Sequence, residues 1–150
     1  MTPAGFHHLA IQVADLPRAE AFYCGLLGLR VLNRWPWSPE ALAAGRTGER
    51  SLWVAVGARE DDGFLALEAC APPADSSETL LQRGFKDETP GLHLLSLRIA
   101  AHERPLWESR LAAAGVEIVH RSQFTLYVRD PEGNRVGLSH WPDVGPIAAP

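Results

Sequence analysis

The chain reads as an α+β protein built from two copies of a β-α-β-β-β unit. Three observations carry that reading. A short apolar strand pattern recurs in the second half, each half holds one amphipathic helix stopped by glycine, and an Asp-Pro-Glu-Gly-Asn turn joins the last two strands. The first strand spans residues 7–13 (HHLAIQV), a short run of apolar and β-branched residues. Asp15 then serves as a helix N-cap, with Pro17 in the first turn, where a missing N–H costs nothing. Leu16, Ala19, Phe22, Tyr23 and Leu26 recur at helical spacing as far as residue 27, and Gly28 ends the helix. Residues 29–35 alternate apolar and polar as a half-buried strand, and residues 36–48, with Pro, Gly and Ala and no clean period, read as a loop. Residues 51–56 and 64–70 complete the first unit around an REDDG turn.

Residues 71–90 are polar and proline-containing and read as a linker, with a helical turn near Leu80. The order then repeats: a strand at 92–99, a helix at 103–114 stopped by Gly115, and strands at 116–120, 124–129 and 135–140. The DPEGN turn, residues 130–134, has Pro and Gly at favoured positions. Laid on each other, GFHHLAIQV falls on GLHLLSLRI, so that His7 meets His93, His8 meets Leu94, Ala10 meets Ser96 and Gln12 meets Arg98. The domain reading is one folded domain over residues 1–150, with module 1 at about 5–71, module 2 at about 91–141 and a linker at 72–90.

Composition bounds the function. The chain has 150 residues, 46% hydrophobic and 21% charged, which is a globular balance. Fourteen Lys+Arg against eighteen Asp+Glu give a net charge of −4, so no basic footprint for nucleic acid or an anionic membrane is expected. There is no apolar run long enough to span a bilayer and no signal-peptide pattern at MTPAGFHHLA. Cys24 and Cys70 are too few for a disulfide framework, and the expected location is cytoplasmic.

Two stretches, HHLAIQVADLPRAEAFYCGLLGL and YVRDPEGNRVGLSHW, resemble the vicinal oxygen chelate superfamily, which includes glyoxalase I, extradiol dioxygenases, fosfomycin-resistance thiol transferases and bleomycin-resistance proteins. The resemblance covers nearly the whole chain. It implies two β-α-β-β-β modules forming paired, curled mixed sheets around a cleft. Metal-using members take ligands from the first and fourth strands of each module, and that pattern assigns His8 and Glu68 as metal ligands in the first module. In the second module the corresponding positions are Leu94 and Gly137, so both ligands are missing. A third ligand would need a one-residue register shift that brings in His140 or His93. Without metal, His8 and Glu68 form a candidate catalytic acid/base pair.

The remaining candidates bind ligand. Gln12 shares the parity of His8, and Arg98 is its counterpart in the second module. Tyr127 matches a substrate-contacting tyrosine of the fosfomycin-resistance enzymes, Arg129 shares its parity, and Arg135 shares that of Gly137. Trp35, Trp37 and Trp53 cluster around the second and third strands. Together they describe an aromatic-walled pocket with guanidinium donors, suited to a planar or anionic organic molecule. The favoured reading is therefore a small-molecule-binding, resistance-type homodimer with an incomplete metal site. The alternative is a divalent-metal-dependent enzyme (Mn, Fe, Ni or Zn), a glyoxalase-like lyase, isomerase, ring-cleaving dioxygenase or thiol transferase, using His8 and Glu68.

Overall fold

The computed structural model describes residues 6–59, 62–70 and 92–141. The expected linker and its helical turn lie outside these residues. The chain divides into two compact units, Met1–Ala74 and Asp75–Pro150, each carrying one four-stranded mixed sheet.

In the first unit β1 (His8–Val13) leads into α1 (Leu16–Glu20), which starts as its sequence dictates: Asp15 Oδ1 accepts the Arg18 N–H at 2.9 Å and Pro17 occupies the first turn. The helix then widens to π geometry over Ala21–Leu26 before Gly28, at φ 78°, ends it. β2 (Val31–Pro36), β3 (Glu49–Ala55) and β4 (Phe64–Ala69) follow, and the sheet order is β1-β4-β3-β2 with β1 parallel to β4. Ile11, Val13, Leu52, Val54, Leu65 and Leu67 line one face and are buried, α1 packs on β3 and β4, and Leu16, Ala19, Phe22 and Tyr23 of the helix are buried with them. Alternation along each strand sends the other residues to the opposite face.

The segment 36–48, expected to be all loop, contains a short helix α2 (Pro39–Ala43). Ser38 Oγ accepts the Ala41 N–H at 3.2 Å and Pro39 takes the first turn. Capping makes this helix where apolar periodicity gives no sign of it.

In the second unit β5 (Leu95–Arg98) is followed by a 3₁₀ turn (Ala101–Glu103), α3 (Arg104–Ala113), β6 (His120–Arg121), β7 (Thr125–Arg129) and β8 (Arg135–Ser139), in the order β5-β8-β7-β6. Gly115, at φ 69°, ends α3 as Gly28 ends the first helix. The expected strand at 116–120 is reduced to its end. Val116 N–H still bonds back to Leu111 in the helix, and ladder contact with Tyr127 begins at Val119. Leu97, Leu126, Val128, Val136 and Leu138 bury one face of the sheet, with Leu111 of α3 in the same core.

Candidate functional site

Strand register turns the open face of the first sheet into a grid. Gln12, Glu68, Ser51 and Trp35 lie in one row across β1, β4, β3 and β2. Ala10, Ala66, Trp53 and Asn33 form the next, and His8, Phe64 and Ala55 the third. The two alanines make a low floor bordered by larger groups. An unbroken line of ring contacts crosses all four strands. Trp35 meets Trp53 at 5.2 Å, Trp53 stacks on Phe64 at 4.5 Å, and Phe64 stacks on His8 at 4.8 Å. The Trp53 indole N–H is buried with no acceptor among the described residues. His8 also shares a 2.7 Å hydrogen bond with His7 between their Nδ1 atoms, so one ring donates and the other accepts.

The register separates His8 from Glu68. His8 is level with Phe64, and Glu68 is level with Gln12, four residues further along the strand pair. At about 3.3 Å per residue that is roughly 13 Å, too far for both to bond one ion at about 2 Å. Glu68 instead accepts the Ser51 hydroxyl at 2.8 Å, with Arg50 Nε at 3.9 Å. The two modules can also be matched through their registers. Ala10 pairs with Ala66 as Ser96 pairs with Gly137, so Ala66 is the first-module counterpart of Gly137, and Glu68 is the counterpart of Ser139.

In the second unit Gly137 is covered. A Cβ placed there would meet Thr125 Cγ2 at 3.0 Å, Ser96 Oγ at 3.3 Å and Leu94 Cδ1 at 3.4 Å. Leu94 thus holds the position the first module gives to His8, and its side chain helps fill the space over Gly137. The register shift that would bring in His93 or His140 as a third ligand does not occur, since Ser96 pairs with Gly137 and Arg98 with Ser139. His93 Nδ1 lies 2.7 Å from the Arg135 guanidinium, which can only donate, so the ring accepts there. His140 follows the end of β8, edge-on to Phe124. Of the four positions His8, Ala66, Leu94 and Gly137, one carries a donor. Among the described residues no three His, Cys, Asp or Glu are grouped to hold a metal ion. Among the described residues the donors at these positions do not make a complete divalent metal site.

The ligand-binding candidates fall into three places. Gln12, Trp35 and Trp53 share the open face of the first sheet. Arg98, Tyr127, Arg129 and Arg135 share one face of the second, where Arg129 donates to Gly133 O at 2.6 Å and Arg135 is only 6% exposed. Trp37 belongs to neither face. It lines a cavity of about 660 Å³ with the start of α1 and the β2–β3 connection. Sequence reading missed that cavity, since its lining depends on how the connection folds back. Both cysteines are free thiols, and burial, reinforced by Glu20, pushes the Cys24 thiol above its ordinary value.

A family model, the Glyoxalase/Bleomycin resistance protein/Dioxygenase superfamily, matches residues 5–138. The chain belongs to this superfamily. Solved structures of the superfamily's fold agree with it. Fosfomycin resistance protein FosX from Mesorhizobium loti superposes with TM-score 0.62 at 14% identity, covering 92% of each chain. A variant FosX from Listeria monocytogenes, complexed with Mn(II) and 1S,2S-dihydroxypropylphosphonic acid, gives 0.64 at 15% identity, covering 92% of this chain and 93% of that one. Lactoylglutathione lyase from Agrobacterium tumefaciens gives 0.61 at 18% identity, covering 95% and 99%. No curated protein matches the chain by sequence. Among the described residues no helix is long and apolar enough to cross a membrane.

Proposed function

We propose that this superfamily member is a metal-independent binding protein that holds a small planar organic molecule on the open face of its first sheet. The observation that carries this reading is the line of stacked rings, Trp35–Trp53–Phe64–His8, beside the Ala10–Ala66 floor. A flat ligand on that floor gains apolar burial against Trp53, and an acceptor on it can take the buried indole N–H. Glu68 with Ser51, and Gln12, supply polar contacts at one end of the floor, and His8 supplies them at the other. His8 and Glu68, held apart by the register, act in this reading as separate polar contacts.

The second reading, a metal enzyme like those among the structural neighbours, rests on His8. One pair of titrations separates the two. With 2-naphthol as probe and tryptophan fluorescence as readout, Trp53→Ala is expected to weaken binding about tenfold and Trp53→Phe by less. Calorimetric titration with Mn(II) or Zn(II) is expected to show no stoichiometric binding in wild type. Stoichiometric uptake abolished by His8→Ala would establish the metal reading instead.

We further propose a homodimer in a reducing cytoplasm. Among the described residues β1 and β2 are the edge strands of the first sheet, and the two thiols are free. Light scattering after size exclusion should give twice the 16.4 kDa chain mass; a monomer at high concentration refutes the dimer.

A further inference from the structure

We propose that the cavity on the helix-covered side of the first unit binds a small organic cation, with Arg46 holding the cation's place on Trp37. This site is separate from the ring-lined face, because Arg34 and Trp35 point to opposite sides of β2. The cavity, at about 660 Å³, lies within the range that takes a compact organic ligand. Its aromatic wall is Trp37, fixed in orientation by its indole N–H, which donates to Thr47 O at 3.2 Å. The Arg46 guanidinium carbon lies 5.0 Å from the centre of that ring, within the cation–π range. The ring face that a ligand cation would use is therefore already occupied by a cation of the protein.

The surrounding charges favour replacement by another cation. Glu20 and Glu49 both bond Arg34, and all three side chains line the cavity. The lining holds three carboxylates, Asp15, Glu20 and Glu49, against the guanidiniums of Arg34 and Arg46, so −3 + 2 = −1, and the Asp15 Oδ1 accepts the Arg18 N–H. Arg46 is exposed and stands between Gly45 and Gly48, at φ 89° and 72°, so it can leave the ring without disturbing packed structure. A ligand with a fixed positive charge would then take both the ring face and the unbalanced carboxylate field. A neutral ligand would take neither, and an anion would meet the carboxylates once it drew Arg46 away.

The sign of one substitution tests this. With benzyltrimethylammonium as probe, the full chain is expected to bind weakly, and Arg46→Ala to bind about two- to fivefold more tightly because the resident cation is gone. Trp37→Leu should abolish binding and Trp37→Phe should reduce it, each checked for an unchanged thermal melt. Trp53→Ala, on the other face, should leave it unchanged. In a Cys24→Ser background the bound cation should also slow iodoacetamide labelling of Cys70, which lines the same cavity. Benzoate should not bind. Benzoate binding lost in Arg46→Ala would make this an anion site and overturn the proposal. So would cation binding indifferent to both Trp37→Phe and Arg46→Ala, or no saturable cation binding in either wild type or Arg46→Ala.

Discussion

Asp130→Ala is expected to lower the stability of the protein by about 3 kcal/mol, one of the largest losses available outside the apolar core. Asp130 is 1% exposed, and its carboxylate gathers the N–H groups of the β7–β8 turn. Its Oδ1 accepts the N–H groups of Glu132 at 3.0 Å and Asn134 at 2.7 Å, and its Oδ2 accepts the Asn134 side-chain amide at 2.9 Å. Alanine removes all three bonds and leaves a hole beside strands whose Val128 and Val136 are fully buried. Asp130→Asn keeps one carbonyl acceptor but sets an amide against the Asn134 amide, so a loss of about half as much is expected. Thermal melts should fall by roughly 6–12 °C for the alanine variant. A fall under about 1 kcal/mol would mean that Pro131 and Gly133 suffice to form the turn without the side chain.

That turn was legible in the sequence because each of its residues has a local reason to be there. The same is true of the Asp15 cap and of the glycines that end the two helices, whose positive φ needs no neighbour to explain it. Strand parity was legible too, since alternation alone puts His8 and Gln12 on one face of β1. Position along the strand was not. A shift of two residues between β1 and β4 preserves every facing, so the pattern of FLALEA cannot say whether Ala66 or Glu68 stands next to the row of His8. Only the hydrogen-bond ladder decides, and it separates the two residues that family likeness had joined. The place of Trp37 was hidden for a different reason. It follows β2 and is set by α2 and by the turns at Gly45 and Gly48, so its partners Thr47 and Arg46 follow from loop geometry and not from any period.

Restoring a carboxylate at the empty closing position should fail. Gly137→Glu is expected to cost about 4 kcal/mol or more, and Gly137→Ala about 1 kcal/mol. The closest atom to a new Cβ is Thr125 Cγ2 at 3.0 Å, and that methyl cannot easily yield. Thr125 is β-branched, and its hydroxyl is fixed by a 2.9 Å bond to Ser139 Oγ, so rotating the methyl away breaks the bond. A glutamate would add a buried charge at a site whose nearest neighbours are a methyl group, the Ser96 hydroxyl and Leu94. Thr125→Ser removes the methyl and keeps the hydroxyl, so the Thr125→Ser/Gly137→Ala pair should recover most of the alanine cost in a denaturant double-mutant cycle. Leu94→His with Gly137→Glu should recover less of the glutamate cost, because Leu94 is only the third-nearest neighbour. A Gly137→Glu variant as stable as wild type would show that the position still accepts a ligand. If the expected losses are found, packing at Thr125 now occupies the carboxylate's place. A Gly137→Glu substitution alone would then not place a carboxylate donor on this face of the second sheet.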